Sequence, residues 1–164
     1  MEASLFLMLF HLIGFGLIMT LLVAGWLLHK QYGQANDYKT KLVILTTARM
    51  VGLMSPIAIL VMLITGIGNM HARGLGLFTE TSELWLNIKV LAFAIAAVNG
   101  IIFGVRSKKR GMLVAQLAQG NAPAGSETRL AAMDKSTLLF HVVQTILMIT
   151  ILVLTVWKPG RFGA

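Results

Sequence analysis

Leu84-Trp85-Leu86-Asn87-Ile88-Lys89-Val90-Leu91-Ala92-Phe93-Ala94 is an apolar run that reads as a membrane-spanning helix with one lysine inside it. A lysine in hydrocarbon costs about 3 kcal/mol on insertion scales, so it marks a functional group with a partner by default. The competing reading is snorkelling. Lys89 follows Trp85 by four residues, and its methylene stem can carry the charge back to the interface. The rest of the chain favours the first reading, because three further spans accompany this one and two of them carry a histidine well inside.

Composition fixes the class. Soluble domains are about 45–50% apolar and about 25% charged, whereas this chain is 57% hydrophobic and 12% charged, with a mean hydropathy of +0.80. Spanning a bilayer takes about 20 apolar residues. Four stretches are long enough: roughly 3–28, 50–70, 84–105 and 136–157. The first lacks a basic leader and is too long for the core of a signal peptide, so it is expected to be a retained helix. The expected fold is all-α, an integral membrane four-helix bundle making one transmembrane domain over residues 1–164. With no cysteine in the sequence, disulfides, thiolate zinc sites and cysteine-ligated clusters are excluded.

Three short connections join the spans, at about 29–49, 71–83 and 106–135. Gly33, Asn36 and Asp37 mark the first, Arg73-Gly-Leu-Gly the second, and Gly120-Asn-Ala-Pro-Ala-Gly-Ser the third. The first and third lie on one side and carry ten basic residues: Lys30, Lys39, Lys41, Arg49, Arg106, Lys108, Lys109, Arg110, Arg129 and Lys135. The other side has Arg73, Lys158 and Arg161. Lys and Arg concentrate on the cytoplasmic side, so both termini are expected outside a cytoplasmic (inner) membrane. The net charge of +8 then reflects this bias and contact with anionic lipid. Nucleic-acid binding is not indicated, since the basic residues flank spans without aromatic interleaving. Trp26, Trp85 and Trp157 fall near span ends, as an aromatic belt would.

The polar groups inside the spans carry the chemistry. His11 lies deep in the first span, with Met8 and Gly14 three residues to either side on the same face. A glycine there lets a flat macrocycle approach the backbone. His71 ends the second span on the outer side, and His29 ends the first on the inner side. His141 lies about a turn and a half into the fourth, with Gln144 and Thr145 beside it. At 1.5 Å per residue, His11 and Lys89 sit at similar depths, roughly 12 Å from the outer surface, while His141 is roughly 8 Å from the inner one. His11 and His141 are therefore a strained axial pair for one haem. The better sets are His11, His71 and Lys89 outside, and His141 with His29 inside. Any of these histidines can instead serve an interhelical hydrogen bond, worth about 0.6 kcal/mol. Imidazole ligation between bundle helices is a recurrent haem arrangement.

Several short motifs occur in a characteristic order: Phe10-His11-Leu-Ile, then Arg49 with Ser55-Pro56 and Thr65-Gly66, then Trp85-Leu-Asn-Ile-Lys89, then Val156-Trp-Lys158-Pro159. In this the chain resembles the HemJ-type protoporphyrinogen IX oxidases and, more distantly, CopD-like membrane domains. The resemblance implies a small b-haem membrane protein that oxidises porphyrinogen and passes electrons onward to quinone. His11 and Lys89 would be its functional pair, with Lys89 holding a porphyrin propionate in a catalytic role. His11, His71 and His141 are the candidate haem-iron ligands, and one or two haems b the expected cofactor. The chain differs from the family in three places. Val98-Asn99-Gly100 replaces an aromatic and a histidine, Met133-Asp134-Lys135 replaces an Asn-Glu, and His141 is additional.

Two other classes stay open. Met8, His11, Met70 and His71 form a soft outward-facing set that suits Cu(I), as in CopD-like copper handling. Alternatively, the chain is a non-catalytic subunit of a homo-oligomer or larger membrane complex. Hydrolytic chemistry is not indicated, because no carboxylate lies inside a span.

Overall fold

The computed structural model describes residues 2–78 and 83–157. Lys158, Pro159 and Arg161, which enter the tail motif and the charge count, lie outside them. The chain is an all-α four-helix bundle built from five helical pieces: α1 (Glu2–Gln34), α2 (Tyr38–Gly52), α3 (Ser55–Ala72), α4 (Leu84–Ala118) and α5 (Ser126–Trp157). Helices α2 and α3 together make the second of four segments long and apolar enough to cross a bilayer. Their break at Leu53 and Met54 precedes Pro56. Proline lacks an N–H and crowds the preceding turn, which kinks a helix there.

The helices outrun the expected spans. The segments read as connections at 29–49 and 106–135 are mostly helix, and only 35–37 and 119–125 remain as links. Hydropathy reports transfer into lipid, not helicity. Lys, Arg, Gln and Ala are strong helix formers in water, so the basic segments continue the helices. At 35 residues, α4 is about 50 Å long against a hydrocarbon core of about 30 Å.

This extra length is packed. At the basic end, Tyr32 of α1, Leu45 of α2, Val114 of α4 and Leu130 of α5 form a small buried core. A second core, nearer mid-bundle, joins Ala92 of α4 to Met148 and Ile151 of α5, with Phe15, Ile18 and Leu22 of α1 against them. Helix α1 packs chiefly on α3, α4 chiefly on α5, and α2 bridges α1 and α4. Outside these seams the helices present large apolar side chains such as Phe6, Leu60, Ile101 and Ile146 to the surroundings. Such a surface belongs in a bilayer, where the helical backbone also satisfies its own polar groups. The protein is therefore a multi-pass membrane protein.

The helix ends follow local chemistry. Asp37 caps α2, accepting from the Thr40 N–H at 2.8 Å and from its hydroxyl at 2.7 Å. These hydrogen bonds hold the Asp37 carboxyl below the usual carboxylate range. Their contribution is present above the ordinary carboxylate pKa and is lost as pH falls through the lowered one. Gly74 and Gly120 take positive φ of 64° and 73°, each ending a helix with the left-handed residue that glycine adopts without a Cβ clash.

Candidate functional site

The structure separates the expected site residues into two stations. In the station far from the basic end, His11 Nδ1 lies 2.9 Å from Thr65 Oγ1. The Thr65 hydroxyl donates to the Val61 carbonyl at 2.6 Å, so its oxygen accepts from His11 Nδ1–H. That arrangement favours the Nδ1–H tautomer, in which Nε2 carries the lone pair, as in a metal-ligating histidine. Lys89 is half-buried, has an interaction partner and lies within electrostatic range of His11. Gly14 serves a different contact from the macrocycle cradle expected of it. A Cβ there would meet Val61 and Met62 at 3.1 Å, so Gly14 lets α1 approach α3. Gly66 is the glycine that faces the imidazole, its Cβ position 3.4 Å from His11 Cε1.

His71 is exposed at the end of α3, and its carbonyl accepts from the Gly74 N–H. The soft set proposed for copper gains no support from its surroundings. The Arg73 guanidinium lies 4.0 Å from Met8 Sδ, which puts a cation where a copper ion would need electron-rich donors. Among the described residues, no three His, Asp or Glu side chains gather into a metal-binding group.

The second station lies toward the basic end and is the more elaborate. His29 of α1 and His141 of α5 bring their ring centroids to 5.4 Å. Both border a cavity of about 630 Å3 that reaches all five helices, a size typical of small-molecule and cofactor sites. A Cβ on Gly25 would sit 2.9 Å from His141 Cε1. Glycine is thus required for the imidazole to lie against α1. Trp26, read from sequence as a belt residue, stands 5.3 Å from the His141 ring and donates to Thr145 at 2.9 Å. Thr145 in turn donates to the His141 carbonyl, so the indole and the histidine are tied to one turn of α5.

Four polar atoms at this station are buried without a hydrogen-bond partner: Nδ1 of His29, Nδ1 of His141, the Tyr32 hydroxyl and Nη2 of Arg110. Each such atom costs about 1–3 kcal/mol when left unmade, and native folds keep few of them. All four residues line the same cavity. Arg110 Nε bonds Asp134 Oδ1 at 2.7 Å, and its guanidinium carbon lies 3.8 Å from the Tyr32 ring centroid. The Arg110 side chain is thereby held with one N–H group unspent. Arg49 and Lys108 also line the cavity, and among the described residues no acidic one does.

Sequence reading placed His141 with His29, and the structure brings them together. It missed Arg110, Tyr32 and Trp26. Arg110 was one of ten cations in a side-wide bias, and nothing in its local pattern marks it as the buried one. Asn99 donates to Gln144 at 3.1 Å between α4 and α5, and Asp134 holds Arg110. No protein-family model, no curated protein and no solved structure matches the chain.

Proposed function

We propose that the chain is a b-type haem-binding integral membrane redox protein, and that the cavity at His29 and His141 is its haem site. The supporting observation is the meeting of two imidazoles on α1 and α5, each with a buried orphan nitrogen, at one cavity. The donor set fits the group. Two histidines from facing helices would hold the iron, the cavity has the volume of a cofactor site, and the unspent N–H of Arg110 and the Tyr32 hydroxyl would suit a propionate carboxylate. Bound there, haem b supplies one-electron redox chemistry. The chain's own residues hold and orient it, exclude water with the Phe103 and Phe140 rings that line the cavity, and set a positive local field that favours the reduced form.

The enzymatic form of this reading rests on the resemblance to HemJ-type oxidases. In it, His11 and Lys89 form the porphyrinogen station, Lys89 pairs with a substrate carboxylate, and electrons leave to quinone. The charge distribution supports a cytoplasmic membrane as the location, with the basic end inside and both termini outside.

The test is a visible absorption spectrum of the detergent-purified full chain, oxidised and dithionite-reduced. The expected result is a Soret band that shifts on reduction and a sharp α band, at a stoichiometry of at least one haem per chain. A purified, folded chain without these bands, even after incubation with haemin, overturns the reading. Topology has a separate check. Reporters fused at Gly120 and at the C-terminus should report opposite sides of the membrane. The same side for both would break the four-span arrangement.

A further inference from the structure

The groove between α4 and α5 at the basic end is a second cavity, of about 370 Å3. Arg106, Lys109 and Arg129 line it, with Ile102, Phe103 and Phe140. The two phenyl rings stack with centroids 3.8 Å apart and planes 7° from parallel, which gives a flat apolar floor. Arg106 donates to the Ser136 hydroxyl across the groove at 3.0 Å. Among the described residues no acidic one lines the groove, and the neighbouring Asp134 is spent on Arg110.

The order of these residues along the helices matters. Helix α4 runs toward the basic end, so Ile102 and Phe103 lie on the membrane side of Arg106 and Lys109. Helix α5 runs the other way, so Arg129 is outermost and Phe140 innermost. Both helices therefore grade from cationic to apolar in the same direction, from the interface toward the hydrocarbon. Ile102, Arg106, Lys109 and Arg129 are exposed. A plain inside-positive bias needs no convergence of cations from two helices onto one groove. Lys30 and Lys39 satisfy that bias elsewhere.

We propose that this groove is a binding site for one anionic phospholipid. Its phosphate sits among Arg106, Lys109 and Arg129, and an acyl chain lies along Ile102 and the Phe103–Phe140 stack. Basic pockets between transmembrane helices recognise anionic headgroups in this way, and guanidinium groups match phosphate oxygens as bidentate donors. The groove adjoins the larger cavity and shares Phe103, Arg110, Thr137 and Phe140 with it, but Arg106, Lys109 and Arg129 line the groove alone, and His29 and His141 do not enter it.

The experiment embeds the full chain in phosphatidylcholine nanodiscs with a minor fraction of phosphatidylglycerol, releases it gently and counts retained lipids by native mass spectrometry. The wild type should retain phosphatidylglycerol saturably, and excess inorganic phosphate should not displace it. The variant Arg106→Gln/Lys109→Gln/Arg129→Gln should lose at least about tenfold in occupancy. The equally charged control Lys30→Gln/Lys39→Gln/Lys135→Gln should lose none. Should the first variant fail to insert, Ile102→Trp, which fills the groove without touching charge, should give the same loss. The proposal is overturned by absence of saturable retention in the wild type, by equal loss in the control, by retention in both groove variants, or by displacement with inorganic phosphate, which would mark a bare anion site.

Discussion

His141→Ala should strip the purified chain of haem, lowering its affinity by well over the roughly 10–100-fold that loss of a mere supporting contact costs. His29→Ala should do the same or leave a weakly held, five-coordinate spectrum. His141 is the buried member of the pair, it lies against Gly25, and its turn of α5 is tied to α1 through the Trp26–Thr145 hydrogen bond. His11→Ala is the internal comparison. Its imidazole is hydrogen-bonded to Thr65 in the other half of the bundle, so haem content should survive its loss if the inner cavity is the site. The reverse pattern, haem lost with His11 and kept without His141, would move the cofactor to the Lys89 station and refute the assignment. Half of the haem lost in each variant would mean two haems, and quantitation by pyridine haemochrome on the wild type decides that directly.

The spans were readable because bilayer insertion is a sum over residues, and a sum survives ignorance of contacts. Run lengths in 84–105 and 136–157 gave the existence of α4 and α5. They did not give the ends, because Arg106 to Ala118 is polar by composition yet helical by propensity, and its apolar members Leu113, Val114 and Leu117 pack on α2 and α5. The site was readable only in part, for a related reason. The depth of His141 follows from counting residues in one helix. Its meeting with His29 depends on the register between two antiparallel helices separated by more than a hundred residues, which no local pattern encodes. Gly14 and Gly25 make the same point. Both are small residues in one apolar helix. Sequence singled out Gly14 for its spacing from His11, but Gly14 faces Met62, and Gly25 is the one that receives an imidazole. Arg110 was hidden among its neighbours. Arg106, Lys108, Lys109 and Arg110 look alike in sequence, and only the rotation of α4 about its axis makes Arg110 4% exposed and the others open.

That rotation gives Arg110 the largest expected effect on stability. Its guanidinium joins three helices: α4, which carries it, α5 through Asp134, and α1 through the face of Tyr32. Removing one partner of a buried ion pair costs about 3–5 kcal/mol, because the other charge is left behind. Asp134 keeps about a third of its side-chain exposure and so stays partly hydrated. Loss of the cation–π contact adds about 1 kcal/mol. Arg110→Met, which keeps the bulk and removes the charge, should therefore destabilise the bundle by about 2–4 kcal/mol, read as thermal or denaturant unfolding of the detergent-solubilised chain by circular dichroism. Arg110→Lys should recover only part of this, since an ammonium neither stacks on Tyr32 nor bonds as a planar fork. The double variant Arg110→Met/Asp134→Leu should recover most of it, because replacing both members of a buried pair leaves no unpaired charge. A loss below about 0.5 kcal/mol for Arg110→Met, within the range of ordinary surface changes, would show that the pair does not hold the basic end together. A double variant no better than Arg110→Met would show that Tyr32, not Asp134, is the partner that matters. Under the haem reading the two effects separate. The double variant should fold yet bind haem more weakly than wild type, because its core is restored while the unspent N–H group of Arg110, a cavity-lining residue, is not.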